Sequence, residues 1–178
     1  QSFDDAVLAW MHRTHDASTA RNAIEVLREA DFDNLSIDLI FAAPSQVGRG
    51  WERDLETAIQ LAVPHVSAYG LTVEPHTPLG RWVARHDVDE APEERFENEY
   101  LVADNLLTQA GLEHYEVSNY GRPPRQSRHN WAYWRRRPYG GLGPSAHEFD
   151  GAVRRWNSAP YADWETRVRG GESPTVGS

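Results

Sequence analysis

Two short apolar runs separated by one helix-length segment limit the fold more than any other feature of this chain. The first is Asn34-Leu35-Ser36-Ile37-Asp38-Leu39-Ile40-Phe41, stopped by Pro44. The second starts at His65 and runs through Val66 to Val73 as HVSAYGLTV. Mostly apolar runs of this length read as strands buried on both faces, the pattern of a parallel sheet. Between them Trp51, Leu55, Ala58, Ile59 and Ala62 recur at helical spacing. Strand, helix and strand with short links make a βαβ unit, whose crossover is right-handed by rule. One such unit neither closes a barrel nor covers a parallel sheet. Both ends also look cut, so the expectation is an α/β chain that is the middle of a longer protein.

The flanking segments extend this frame. Gln1-Ser2-Phe3-Asp4 predicts the end of a strand followed by a helix cap, with Phe3, Ala6, Val7, Trp10 and Met11 at helical spacing. Asp16 or Ser18 caps a second helix with Ala20, Ala23, Ile24 and Leu27 on its inner face. Near Gly80 the character changes, which divides the chain into 1–80 and 81–178. Residues 81–95 read as a charged loop. A helix opens at Pro92, shows Phe96, Tyr100, Ala103 and Leu107 on one face, and ends at Gly111. A strand over 114–120, a Pro-Pro turn at 123–124, the aromatic loop RHNWAYWRRRPYGG and the glycine-rich GGLGPSAHEF follow. A last helix over Tyr161–Val168 precedes a Gly/Ser-ended tail. No internal repeat or low-complexity segment is visible.

Composition removes several function classes. The net charge of −9 argues against general electrostatic binding to nucleic acid or anionic membrane. With no cysteine, the chain itself offers no disulfide, thiolate nucleophile or iron–sulfur ligand. No apolar run approaches the roughly 18 residues of a membrane span, and Gln1 leads straight into an acidic amphipathic stretch, so a cytoplasmic location is expected. Seven tryptophans are a surplus for 178 residues, which suits a flat-ligand site, an interface or simply the core.

Two residues stand out chemically. Asp38 is a carboxylate inside an apolar strand, where burial is costly without a partner. Polar residues toward strand C-termini face the ligand crevice in α/β folds, so Asp38 reads as a ligand contact or as a structural hydrogen bond. Gln1 would lie beside it, with an amide that both donates and accepts. His129 is the second: neutral imidazole is a common haem-iron ligand, Trp131, Tyr133 and Trp134 offer stacking faces, and Arg128, Arg135, Arg136 and Arg137 can pair with propionates. A hydrogen-bonded structural histidine and a single-strand nucleic-acid platform are the competing readings. His147 is a weaker candidate ligand. GGLGPS lacks the P-loop lysine and reads as a tight loop. His12 and His15 read as solvated at a helix end, and Glu93–Glu99 as a solvated helix face.

In order along the chain, QSFDD, the Arg-x-His of RTH at 13–15, SIDLIF, HVSAYGLTVEPHTPLG, YEVSNYG, SRHNWAYW, YGGLGPSAHEFDG and RRWN resemble the HemW-type haem chaperones. These form a branch of the radical SAM superfamily close to oxygen-independent coproporphyrinogen III oxidase. HNxxYW, here His129-Asn130-Trp131-Ala132-Tyr133-Trp134, is the signature of the chaperone branch. The resemblance implies the later strands and helices of a partial TIM-like radical SAM barrel over 1–80. It implies an α+β extension over 81–178 that carries the haem motif. It also implies that Gln1, Arg13, Asp38 and Thr72 contact S-adenosylmethionine, and that His129 meets haem iron with Asn130, Tyr133 and Trp134 around it.

The resemblance further implies a haem-accepting respiratory protein as partner, no nucleic acid, and peripheral membrane association and a homodimer as candidate states. Two departures stand out. Ala42-Ala43-Pro44 replaces the family's Gly-Leu-Pro, and no CxxxCxxC is present to hold a [4Fe–4S] cluster. That cluster is expected only in the full-length parent, so this chain is not catalytic alone. Two alternatives remain at this stage: a piece of the coproporphyrinogen oxidase, and a non-catalytic module for single-stranded RNA.

Overall fold

A computed structural model of the chain describes residues 1–44, 46–48 and 50–178. They form two compact units, Gln1–Gln126 and Ser127–Ser178. In the first, β1 (Ser36–Phe41) and β2 (His65–Gly70) are parallel neighbours, in register from Ser36 against His65 to Phe41 against Gly70. The crossover between them contains α3 (Trp51–Gln60), so the βαβ unit forms as expected. β2 stops earlier than its apolar run: Leu71 N–H donates to the Phe41 carbonyl (2.9 Å), and the chain then leaves the sheet.

The helices before the sheet are set by side-chain caps. Asp4 accepts from Ala6 and Val7 N–H at the start of α1 (Asp5–Trp10), and Asp16 accepts from Thr19 N–H at the start of α2 (Ala17–Glu29). Gln1 behaves as the end of a strand, its carbonyl accepting from Ile40 N–H at 2.9 Å.

Beyond β2 the structure corrects the sequence twice. The stretch from 81 is not all loop, because α4 spans Pro78–Ala84. Thr77 caps it through Gly80 N–H, and Pro78 occupies the first turn, where its missing N–H costs nothing. After α5 (Glu93–Gln109), the expected single strand over 114–120 is a tight hairpin of β3 (Glu113–Glu116) and β4 (Asn119–Gly121). β4 runs antiparallel to β2, which makes a mixed sheet of order β1-β2-β4-β3. α4, α5 and the hairpin all belong to the first unit. Compactness therefore divides the chain after Gln126, while its sequence character changes near Gly80.

One sheet face carries the core. Leu39, Phe41, Val66, Ala68 and Tyr120 pack with Leu55 and Ala58 of α3 and Ala103 and Leu107 of α5. Strand side chains alternate, so Ser36, Asp38, His65 and Ser67 lie on the opposite face. Burial along β1 follows this alternation, with Leu39 and Phe41 buried and Ser36 and Asp38 exposed. The strand is thus helix-covered on one face rather than buried on both. Glu99 is a further correction. It is not on a solvated helix face but 8% exposed, accepting from Ala42 N–H (2.6 Å) and Arg95 Nε (2.8 Å).

The second unit begins with α6 (Arg128–Trp134) and holds an antiparallel sheet of order β5-β6-β7, formed by His147–Phe149, Arg154–Asn157 and Thr175–Gly177. α7 (Tyr161–Arg169) links β6 to β7. The Gly/Ser-ended tail therefore pairs as a strand. Gly177 permits this, since a Cβ there would overlap the Trp156 indole. Buried Asn157 ties down the glycine-rich loop by donating from Nδ2 to the carbonyls of Gly141 (3.2 Å) and Gly143 (2.9 Å). Among the described residues no helix is long and apolar enough to cross a membrane.

Candidate functional site

The sheet face opposite the core of the first unit is polar along one rung. Asp38 stands opposite Ser67, Ser67 opposite Asn119, and Asn119 opposite Glu116. One step toward the strand start, His65 is held at both ring nitrogens, Nδ1 by the Ser36 hydroxyl and Nε2 by the Tyr115 hydroxyl, each at 2.7 Å. Burial of this imidazole lowers its pKa from the ordinary histidine value, against the opposing pull of the Asp38 and Glu116 charges. Asn119 Nδ2 donates to the Glu116 carboxylate. The Ser36–His65–Tyr115 triplet escaped the sequence reading. Its one visible signal was a histidine opening an apolar strand.

The residues expected around a sulfonium nucleotide divide into three places. Gln1 and Asp38 line one cavity of about 220 Å³, together with Phe3, His15, Ile24 and Ile37. Arg13 is exposed just beyond α1 and is not among that cavity's lining residues, whereas His15 is. Thr72 lines a different cavity of about 290 Å³ at the ends of β1 and β2, with Ala42, Pro44, Glu90 and Phe96. Ala42 has φ 56°, a left-handed conformation that glycine adopts at least cost. This explains physically why Gly-Leu-Pro would suit the position better than Ala42-Ala43-Pro44.

In the second unit the HNWAYW motif lies on a helix rather than in a loop. Ser127 caps α6 by accepting from Asn130 N–H (3.2 Å). Helical spacing places His129 and Tyr133 on one face, with their rings edge-to-face at 4.7 Å. Tyr133 meets Tyr139 edge-on at 4.5 Å, and Tyr139 lies 6.2 Å from Phe149. The row thus begins with an imidazole and continues through three aromatic rings.

Tyr133, Trp134, Arg136, Tyr139, Phe149 and Arg154 line a cavity of about 380 Å³. Tyr133 and Trp134 remain 44% and 54% exposed beside it. His129 adjoins this cavity through Tyr133 without lining it, and Asn130 serves through its backbone at the cap. Of the four arginines in the motif only Arg136 lines the cavity, with its guanidinium 6.0 Å from the Phe149 ring centre, while Arg135 stacks on Trp131 at 4.5 Å. Arg154, Tyr139 and Phe149 were missed as site residues, although RRWN and GPSAHEF stood out as motifs.

His147 packs its ring 5.9 Å from Trp156 instead. Among the described residues no group of three or more His, Cys, Asp or Glu can hold a metal ion.

Comparison with known proteins matches this arrangement to one family. A haem chaperone HemW of Synechocystis sp. is 39% identical over 149 residues, covering 84% of this chain and 36% of its own. The haem chaperone HemW of Mycobacterium tuberculosis is 34% identical over 177 residues, 99% of this chain and 45% of its own. The chain belongs to the HemW-type radical SAM proteins. No protein-family model matches it.

The fold agrees with that membership. Coproporphyrinogen III oxidase (HemN) from Escherichia coli, a radical SAM enzyme, superposes with a TM-score of 0.79 at 18% identity, covering 98% of this chain and 43% of its own. The architecture is therefore the radical SAM TIM-like fold, as the resemblance implied. This HemW-type chain spans 36% to 45% of the length of the two chaperones. Their names lend no support to the RNA alternative.

The family implies S-adenosylmethionine, haem and a [4Fe–4S] cluster in the full-length protein. The residues here fit these groups unequally. Aromatic faces, an imidazole and two guanidinium groups suit an anionic porphyrin. Gln1 and Asp38 offer an amide and a carboxylate in one cavity, which suits the hydroxyl and amino groups of a nucleoside. The cluster does not fit, since three thiolates are required and the chain has no cysteine.

Proposed function

We propose that this chain is the haem-handling part of a haem chaperone, with His129 as a haem-iron ligand and Asn130, Tyr133 and Trp134 as its surroundings. The observation that carries the reading is the row of rings from His129 to Phe149, set beside a cavity that also holds Arg136 and Arg154. Haem is the cargo. Imidazole supplies nitrogen to the iron, exposed Tyr133 and Trp134 cover the macrocycle, and guanidinium groups meet its carboxylates. A site this open suits a carrier that must release what it holds, because burial would slow dissociation.

Gln1 and Asp38 contact S-adenosylmethionine in this reading from their shared cavity, and Arg13 at the end of α1 and Thr72 beyond β2 would have to meet the same ligand from outside it. The sulfonium nucleotide would supply radical chemistry only with a cluster held by residues other than these. The recipient of haem is a haem-accepting respiratory protein, met in the cytoplasm or at the membrane surface, with a homodimer as the resting state.

Haem titration of the intact protein and of His129→Ala tests the reading. The variant should bind at least about ten-fold more weakly, the weight of one coordinate bond set against residual stacking. Equal absorbance change and equal affinity would remove His129 from the site.

A further inference from the structure

We infer that the cavity beside α6 is a carboxylate-selective porphyrin-edge site. Arg136 and Arg154, and not the other arginines of the motif, recognise the acidic edge of the macrocycle whether or not it carries iron. The inference rests on the haem-handling reading and specifies how the cargo is oriented.

Three observations build it. Arg154 stands opposite Phe149 in the β5–β6 ladder, and Tyr139 exchanges both backbone hydrogen bonds with Phe149, at 2.8 and 2.9 Å. Tyr139, Phe149 and Arg154 therefore form one rung and project to one face. The hairpin turn that sets this register is firm. The Asp150 carboxylate accepts from Ala152 and Val153 N–H, each at 2.8 Å, and from Arg155 at 2.6 Å, which holds it below the usual carboxylate range.

Second, the two cavity arginines differ from their neighbours. Arg155 is taken up by Asp150 and Glu148, and Arg135 lies on Trp131. Among the described residues no carboxylate lies in ion-pair range of Arg136 or Arg154. Two guanidinium groups without counterions at the wall of an aromatic cavity are complementary to a flat dianion.

Third, the groups are ordered in space. The imidazole stands at one end of the ring row and the guanidinium groups line the cavity at the other, with Tyr133 common to both. A ligand with metal at its centre and carboxylates on one edge matches that order. A cavity of about 380 Å³ lies within the range of roughly 300–1,000 Å³ usual for small-molecule sites, at its lower end. It therefore takes an edge of the macrocycle and leaves the metal outside, toward His129. Edge recognition and iron ligation are thus separate contributions.

The test uses the intact protein with three probes: haem, metal-free protoporphyrin with its two propionates, and the dimethyl ester of that porphyrin. Affinities come from porphyrin absorbance and quenching of tryptophan fluorescence. Arg136→Gln and Arg154→Gln should each weaken haem and the metal-free diacid by the same factor, about five-fold. The ester should lose less than about two-fold. Arg154→Lys should keep most of the diacid affinity, and Arg137→Gln should match the parent.

Equal losses for diacid and ester would overturn the inference, since the arginines would then act through packing. So would no loss in either variant, with the haem-handling reading left standing. Failure of the intact protein to bind any of the three probes would instead reject the haem-handling reading, and this inference with it.

Discussion

Replacing Glu99 by alanine removes a carboxylate that secures the turn after β1. Its carboxylate accepts from Ala42 N–H at 2.6 Å and from Arg95 at 2.8 Å, and Ala42 is itself buried. A hydrogen bond to a charged acceptor contributes about 1.5–3 kcal/mol, and truncation leaves the buried amide without a partner. The Arg95 pair, partly exposed and one helical turn apart, adds only about 0.3–0.5 kcal/mol. The expected loss is therefore about 2–3 kcal/mol. In urea, with a slope of about 2 kcal/mol per molar, the midpoint should fall by about 1 M. Glu99→Gln keeps a carbonyl acceptor and should recover about half. Arg95→Ala should cost less than about 0.5 kcal/mol. The reasoning is refuted if Glu99→Ala unfolds at the parent's midpoint, or if Arg95→Ala costs as much.

Tyr120 is fully buried, its hydroxyl is without a hydrogen-bond partner among the described residues, and burial pushes its pKa upward. Tyr120→Phe should raise stability by about 1 kcal/mol, seen as a higher thermal midpoint; a clear loss would show that the hydroxyl has a partner. His65 makes stability depend on pH. With its folded pKa lowered, the unfolded state takes up a proton first, so the contribution is complete above about pH 6.5 and declines below it, toward the folded value. Urea midpoints across that window should fall in the parent and stay flatter in His65→Gln; parallel profiles would contradict this.

Elements dictated by local pattern were visible in the sequence. The βαβ unit followed from two apolar runs around a helical period, and Asp16 announced its helix as a cap. Asp38 stands out in the sequence as a carboxylate in an apolar strand, and the structure places it on the exposed face of β1. What stayed hidden depends on partners distant in the chain. Glu99 reads as one more acidic residue on a polar helix until the turn at Ala42 closes over it. His65 gains its meaning from Ser36 and Tyr115 on either side. The β3–β4 hairpin was merged into one strand because Val117-Ser118 carries no glycine or proline to mark the turn. Arg154 was unremarkable beside the arginine run at 135–137, yet strand register sets it opposite Phe149. α6 is only seven residues long and has no buried residue, so no apolar period marks it in the sequence and its signal is the Ser127 cap alone.

Whether a protein imidazole on α6 meets the iron decides the account most directly. Resonance Raman spectra of the ferrous haem complex of the intact protein should contain an iron–histidine stretching band that disappears in His129→Ala while haem remains bound. The same band in both proteins, or its absence from the parent at full haem occupancy, would contradict the assignment.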